Sequence, residues 1–151
     1  MAAYKHILVP TDGSKLSLKA AKEAAVLAKT LKARITAVYV IQPWSPPMTE
    51  ESSVAYSSRY SEKLYREATE KTADQALSKV AATAKAAKVA CEKLQVIHGQ
   101  AWEGIIKTAK SRKCDLIIMA SHGRRGLAGL LLGSETQKVL THSKTPVLVC
   151  R

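Results

Sequence analysis

The residues of this chain whose types and spacing suit anion chemistry lie in its C-terminal third. An apolar run, Leu116–Met119, is typical of a buried parallel strand, and it leads into small residues that end at Gly123. After nine intervening residues comes Gly133, followed by Ser134. A strand end, a glycine turn and a helix N-terminus leave backbone N–H groups uncovered, and the positive helix end favours a phosphate. The spacing therefore predicts an anion site, although two structural turns around a short apolar segment would produce the same pattern.

The start of the last helix has its own signature. Gln137 follows Ser134 by three residues, which is the spacing of a capping box. We therefore expect Ser134 to be the N-cap of this helix, a position that a phosphate ligand can share because both roles concern the same N–H groups.

A second turn of the same kind lies near the N-terminus. The apolar run His6–Pro10 predicts a strand, and Thr11-Asp12-Gly13-Ser14 follows it as a turn. Ser14 is placed to cap an amphipathic helix over Lys15–Leu31. Asp is common in such turns, but its place at a strand end favours a role for Asp12 in a binding site.

The remaining pattern alternates strands with helices. We expect four further strands, over Arg34–Ile41, Leu94–His98, Leu116–Ala120 and Pro146–Cys150. We also expect helices from Tyr60 to about Ala87 and over Glu103–Ser111. An irregular loop is expected over Gln42–Ser58. This alternation predicts an α/β fold, an open five-stranded parallel sheet that is doubly wound with helices on both faces, in one domain over residues 1–151. In such sheets ligands bind beyond the carboxyl ends of the strands, at the switch point of strand order. A strand order of 3-2-1-4-5 places both turns at one crevice.

Composition narrows the class of protein. The chain has 151 residues, of which 46% are hydrophobic and 24% charged. No run approaches the roughly 18 apolar residues that a membrane helix needs, and the N-terminus passes into a strand without a signal-peptide core. We therefore expect a cytoplasmic location and no membrane partner.

The net charge of +12 favours an anionic ligand. The charges are scattered, and no helix-turn-helix, RNA-recognition or zinc signature is present, so we expect no specific nucleic acid partner. Any affinity for nucleic acid should be non-specific and steeply dependent on salt. The cysteines Cys91, Cys114 and Cys150 form no CxxC pair, so we expect neither a metal site nor a disulfide framework.

Taken together, these segments resemble the universal stress protein family. The resemblance rests on KHILVPTDGS at the start, AVYVI in the second strand and DLIIMASHGRRGLAGLLLGSETQKVLTHSKTPVLV at the end. Nucleotide-binding members of that family carry G-x2-G-x9-G-(S/T). This chain matches three of the four positions of that motif, with Gly123, Gly133 and Ser134, and Ala120 stands in place of the first glycine.

The resemblance implies ATP as the ligand, either alone or with Mg²⁺. It also assigns residues to parts of the nucleotide. Asp12 would lie near the ribose or a metal-bound phosphate, and Val40 would meet the adenine through its backbone. Met119 and Ala120 would flank the base and the ribose. Amides and a hydroxyl of the motif would hold the triphosphate. The full set of binding residues expected at the crevice is Pro10, Thr11, Asp12, Val40, Met119, Ala120, His122, Gly123, Arg124, Gly133, Ser134 and Glu135.

The resemblance also implies a stress-response regulatory protein that acts as a homodimer, paired through Val147 and Val149 of the last strand. Two alternatives stay open. The first alternative is a family member that binds no nucleotide and works through contacts with other proteins, because the methyl of Ala120 and the charge of Glu135 oppose a close phosphate. The other is a slow ATPase or a protein that phosphorylates itself. The chain lacks the Walker A and kinase motifs and has no evident catalytic base, so we do not expect an efficient enzyme.

Overall fold

The structure is a computed structural model that describes residues 3–46, 54–124, 126, 129 and 131–151, with residues 54–58 and 60 described by their backbone alone. Its elements follow one another as β1 (His6–Pro10), α1 (Lys15–Leu31), β2 (Arg34–Ile41), α2 (Val54–Ala86), β3 (Cys91–Ile97), α3 (Ala101–Ser111), β4 (Leu116–Ala120), α4 (Ser134–His142) and β5 (Val147–Cys150).

The five strands form one sheet in the order β3-β2-β1-β4-β5, and every neighbouring pair is parallel. In the centre, Ile7 of β1 is in register with Ile35 of β2 on one side and with Leu116 of β4 on the other. The predicted fold class and strand order are both confirmed. The first and fourth strands are neighbours, so the switch point of strand order lies between them.

Both faces of the sheet are covered, which explains why most positions of its central strands are apolar. Ile7 and Val9 of β1 point into one core, which they share with α1 and α2, while Leu8 points into a second core with α3 and α4. Helix α1 meets the sheet through small side chains that allow a close approach. Its buried residues are Ser17, Ala20, Ala21, Ala24, Ala25 and Ala28.

Several element boundaries differ from those expected from the sequence. Strand β5 begins at Val147 rather than Pro146, and β3 ends at Ile97 rather than His98. Helix α2 begins at Val54 rather than Tyr60, because no proline follows Pro47 to prevent helix formation. The predicted loop therefore ends earlier; its residues 47–53 lie outside the described part of the chain. Strand β3 begins at Cys91 rather than Leu94, because it is an edge strand whose exposed polar residues hide the apolar pattern.

The two later helices also begin differently. Helix α3 starts at Ala101, two residues before the expected Glu103. At α4 the N-cap is Gly133, with extended backbone angles and no side-chain capping bond, so the expected Ser134 cap and capping box are wrong. The reason is tertiary: a Cβ at Gly133 would lie 3.0 Å from the Cβ of His122, so glycine occupies the contact where the helix begins. The predicted Ser14 cap of α1 is confirmed, since its Oγ accepts a hydrogen bond from the N–H of Ser17 at 3.1 Å.

Within the part of the chain that the structure describes, no helix is long and apolar enough to cross a membrane.

The two-sided core makes the centre of the sheet sensitive to cavities. Ile117 of β4 is 0% exposed, so Ile117→Ala should lower the free energy of unfolding by about 2–5 kcal/mol. Val26→Ala is the matched control. Val26 is 65% exposed on α1, and its loss should change stability by less than about 0.5 kcal/mol. Urea unfolding of both variants measures the difference, and equal effects would contradict this packing.

Candidate functional site

The turn after β1 is built by short hydrogen bonds around its own polar side chains. The N–H of Thr11 donates to the carbonyl of Val38 at 2.9 Å, which extends the pairing with β2 past the end of the strand. The Thr11 hydroxyl accepts from the N–H of Gly13 at 3.1 Å and lies 3.1 Å from the Ser17 hydroxyl. Gly13 has a φ of +81°, a conformation that favours glycine. The turn is therefore held in one shape before any ligand is present.

Asp12 fastens this turn to the one after β4. Its Oδ1 accepts the N–H of Ser14 at 2.9 Å, and its Oδ2 accepts the N–H of Arg124 at 2.8 Å. One carboxylate thus joins two loops that are 112 residues apart in the chain. This contact closes the floor of the crevice between β1 and β4.

The same carboxylate is held in its charged form. Burial would raise the pKa of Asp12, but hydrogen bonds from the backbone and side chain of Ser14, the backbone of Arg124 and the side chain of Ser17 outweigh burial. The pKa of Asp12 therefore lies below its ordinary value, and a fixed negative charge faces the crevice at neutral pH.

The hydrogen bonds of Asp12 to Ser14 and Arg124 form the joint between the two loops, and glycine at position 123 makes this joint possible. A Cβ built on Gly123 would collide with Oδ2 of Asp12. On the other side of the joint, a Cβ at Gly13 would lie 2.5 Å from a guanidinium nitrogen of Arg124. The backbones of the two turns therefore approach each other as closely as their lack of side chains allows, and the Arg124 guanidinium lies across Gly13.

The start of α4 completes the rim on the side of β4. The N–H of Gly133 donates to the carbonyl of Ser121 at 2.7 Å, and the Thr136 hydroxyl donates to the carbonyl of Ala120 at 2.9 Å. These bonds tie the end of β4 to the first turn of the helix. The positive end of the α4 dipole consequently faces the crevice.

A cavity with a volume of about 180 Å³ opens between these loops at the carboxyl ends of β1, β2 and β4. Nine of the twelve residues that the sequence predicted for the site line this cavity: Pro10, Thr11, Asp12, Val40, Met119, Ala120, His122, Gly123 and Glu135. Arg124, Gly133 and Ser134 lie beside the cavity rather than in its lining. Six further lining residues were not anticipated: Ser17, Val38, Tyr39, Ala101, Ile105 and Thr136.

The inner part of the cavity is apolar. Met119 comes from β4, Val40 from β2 and Ile105 from α3, so three elements that are distant in the chain meet there. Helix α3 comes close to β2 because Gly104 has no side chain; a Cβ there would lie 3.0 Å from both methyls of Val40. No local sequence pattern places Ile105 at this cavity, because only the strand order brings α3 over β2.

Glu135 links the cavity to the neighbouring helix. Its Oε2 accepts the N–H of Trp102 at 2.8 Å and thereby caps α3, whose N-cap Gln100 makes no side-chain capping bond. Its other oxygen lies 3.9 Å from Nζ of Lys138. The charge that was expected to oppose a phosphate is therefore directed to the start of α3 and is partly compensated.

His122 positions the two glycines that flank it in space. Its Nδ1 lies 3.1 Å from the Ser121 hydroxyl, and its side chain packs where a Cβ of Gly126 or Gly133 would otherwise be. No three His, Cys, Asp or Glu residues come together as a metal site within the described ranges. The arrangement therefore offers an apolar slot, the carboxylates of Asp12 and Glu135, and the N-terminal turn of α4, which has no side-chain capping bond.

The ionised form of Asp12 should contribute to stability. Because its pKa is lower in the folded chain than in the unfolded chain, this contribution is complete above the unfolded value and is lost as pH falls through the folded value. We expect the difference in unfolding free energy between wild type and Asp12→Asn to be largest above about pH 5 and to narrow below about pH 4.

Urea unfolding at several pH values measures this difference. The matched control is Asp74→Asn, since the Asp74 side chain is 62% exposed and pairs with Lys93 at the surface. The control should show a small difference at every pH. A large, pH-independent effect of Asp12→Asn would show that its shape rather than its charge matters.

Comparisons with known proteins agree with this architecture. A family model described as the universal stress protein family matches residues 3–151. Universal stress protein MJ0531 of Methanocaldococcus jannaschii is 37% identical over 153 residues, covering 98% of this chain and 82% of that protein. Universal stress protein MJ0577 of the same organism is 33% identical, covering 98% and 95% of the two chains.

Solved structures show the same fold. The structure of MJ0577 superimposes with a TM-score of 0.79 at 30% identity, covering 98% of this chain and 96% of that one. A universal stress protein solved in complex with cAMP superimposes with a TM-score of 0.68 at 26% identity, covering 99% and 98%. On its sequence, strand order and length of match, this chain belongs to the universal stress protein family.

Proposed function

We propose that this chain binds ATP in the cavity at the carboxyl ends of β1, β2 and β4, and that it acts as a regulatory homodimer in the stress response. The observation that carries the proposal is the joint at Asp12, which holds two glycine turns together beside an apolar slot. The structural relative that was solved with cAMP supports an adenine nucleotide as the ligand class.

The two ends of the cavity suit different parts of a nucleotide. The apolar residues Val40, Met119 and Ile105 suit a flat base. The family resemblance implies that the backbone of Val40 meets the edge of this base. The carboxylate of Asp12 suits ribose hydroxyls or a Mg²⁺ ion between phosphates, because it stays ionised at neutral pH. Base and ribose enter the cavity, and the phosphates extend over its rim.

The rim supplies the positive field that a triphosphate needs. The N-terminal turn of α4, with the Ser134 hydroxyl exposed on it, faces the same space as Gly123. The Arg124 guanidinium is exposed and reaches across Gly13, from where it can turn to phosphate oxygens. Glu135 lines the cavity, but its carboxylate accepts the N–H of Trp102 and lies near Nζ of Lys138, so its charge is partly compensated.

The sharpest test of the site is a single methyl group. Gly123→Ala places a Cβ against Oδ2 of Asp12 and should separate the two loops. We expect it to weaken ATP binding about tenfold or more, since one or two hydrogen bonds to charged groups are lost. Isothermal titration with ATP and Mg²⁺ measures the affinity, with cAMP as a second ligand.

Gly99→Ala is the matched control, because a Cβ at Gly99 meets nothing within 4 Å. Its affinity for ATP should equal that of wild type. A wild-type protein that binds no ATP up to millimolar concentration would refute the nucleotide proposal and leave the nucleotide-free alternative, a protein that works through contacts with partners.

The dimer is proposed to form at the open edge of β5. The carbonyls of Pro146 and Cys150 accept hydrogen bonds from β4, at 2.9 Å from the N of Ile117 and 2.8 Å from the N of Ser121. Alternation along the strand directs the N–H and C=O groups of Val147 and Val149 the opposite way, away from β4. These two residues therefore present a ladder to which the β5 strand of a second copy can pair.

Val149→Pro removes one donor from this ladder while a proline remains tolerable at a sheet edge. We expect this variant to shift the protein from dimer to monomer with its fold retained, whereas Val149→Thr, which keeps the N–H, should remain dimeric. Light scattering coupled to size-exclusion chromatography measures the mass, and circular dichroism checks the fold. A Val149→Pro variant that stays dimeric would place the interface elsewhere.

A further inference from the structure

Three helices of this protein end in the same way, with two lysines three residues apart. The pairs are Lys29 and Lys32 on α1, Lys85 and Lys88 on α2, and Lys110 and Lys113 on α3. In each pair the N–H of the second lysine donates to the carbonyl of the first, at 3.3, 2.9 and 3.2 Å respectively. A K-x-x-K ending is therefore a repeated structural device of this chain.

The second lysine of each pair has a left-handed backbone. The φ values are 54° at Lys32, 60° at Lys88 and 54° at Lys113, and these are the non-glycine residues with positive φ within the described ranges. The residue after each one donates back to a carbonyl five positions earlier, as Ala33 does to Ala28 at 2.8 Å, which is a Schellman turn. Glycine is the usual residue at this position because it has no Cβ to strain.

A structural role explains only half of this pattern. A lysine in the last helical turn stabilises the negative end of the helix dipole, which accounts for Lys29, Lys85 and Lys110. It does not explain why a strained lysine replaces glycine at all three turns. Because a lysine occupies this position at all three turns, each turn carries a second exposed positive charge beside that of the last helical turn.

The topology brings the three turns to one edge of the sheet. All strands are parallel and each of these helices returns the chain to a strand start, so the turns lie at the amino edge, opposite the nucleotide cavity. All six lysines are exposed, and none forms an ion pair with a carboxylate among the residues that the structure describes.

A groove with a volume of about 460 Å³ lies at the centre of this edge, with Arg34, Arg112 and Lys113 in its walls. The two carboxylates nearby are already engaged. Glu92 lies 3.2 Å from the Arg112 guanidinium and accepts from the Thr36 hydroxyl, and Asp115 accepts the N–H groups at the start of β1. The edge therefore has an excess of exposed lysines around a polar groove, whose lining also includes Glu92, paired with Arg112.

We propose that the amino edge of the sheet, defined by the three lysine pairs with Arg34 and Arg112, is a docking surface for the phosphodiester backbone of a nucleic acid, read without regard to sequence. Protein interfaces have centres from which charged residues, lysine above all, are depleted, whereas nucleic-acid interfaces are rich in positive charge. A bilayer surface would be expected to meet an amphipathic apolar helix face, and these turns present lysines instead.

The left-handed lysines permit a variant that removes charge and also relieves backbone strain. The triple variant Lys32→Gly, Lys88→Gly, Lys113→Gly should melt at or above the wild-type temperature. Its affinity for a fluorescein-labelled duplex DNA of about 20 base pairs, measured by anisotropy, should fall at least about tenfold at low salt. The slope of log K against log salt should become shallower by about three.

Three further measurements separate position from net charge. The control Lys22→Gln, Lys63→Gln, Lys71→Gln removes the same number of charges from exposed helix positions away from this edge, and it should keep wild-type affinity. Arginine at the three turn positions should retain binding. Gly123→Ala, which disrupts the nucleotide cavity, should also retain it, so failure of the nucleotide proposal leaves this test intact.

Several outcomes would overturn the proposal. These are a wild type that binds no DNA at low salt, a glycine variant that binds as well as wild type, and a control variant that loses as much affinity. Polyglutamate that displaces the duplex at equal charge concentration would assign the edge to an acidic protein. Tighter binding to phosphatidylserine vesicles than to the duplex would assign it to a membrane surface.

Discussion

The parallel direction of the five strands determines what each end of the molecule contains. Because every strand points the same way, every carboxyl end and every helix N-terminus gather at one edge, and every helix C-terminus gathers at the other. Backbone N–H groups and positive helix ends therefore accumulate where β1 and β4 separate, and carbonyl groups accumulate at the opposite edge. The cavity lies at the edge where helix N-termini gather, and the lysine turns lie at the edge where helix C-termini gather. Both positions follow from the common direction of the strands.

At the carboxyl edge, the binding geometry comes mainly from backbone held by a few side chains. Asp12 holds the turns after β1 and β4 together, and Gly123 allows the approach. Thr136 and Glu135 fix α4 to β4 and to α3. A site made in this way is already in shape before the ligand arrives, so less of the binding energy is lost in ordering it.

The sequence predicted the fold well because both faces of the sheet are buried. Strands β1 and β4 are short, mostly apolar runs and β2 is rich in β-branched residues, and the bounds of all three agree with the structure. The same reasoning was wrong at β3, where an edge strand mixes exposed polar residues with apolar ones. It was also wrong at Ser134, because the start of α4 is decided by the contact of Gly133 with His122.

The sequence predicted most, but not all, of the residues that line the cavity. Residues in the two turn motifs were found because glycine, aspartate and strand ends have recognisable spacing. Tyr39, Ile105 and Thr136 were missed because they enter the cavity through strand order and helix crossing, which no local pattern encodes. Their apolar or hydroxyl side chains look like ordinary core residues until the elements are assembled.

Gly104 gives the cavity its height without being part of it. At Gly104, helix α3 packs directly against the side chain of Val40. A methyl group at position 104 would have to move α3 away from the sheet or displace the valine side chain. Ile105 and Ala101, which form the roof, would rise with the helix. A substitution at Gly104 alone could therefore change the size of ligand that the cavity accepts, while every side chain that lines the cavity stays the same.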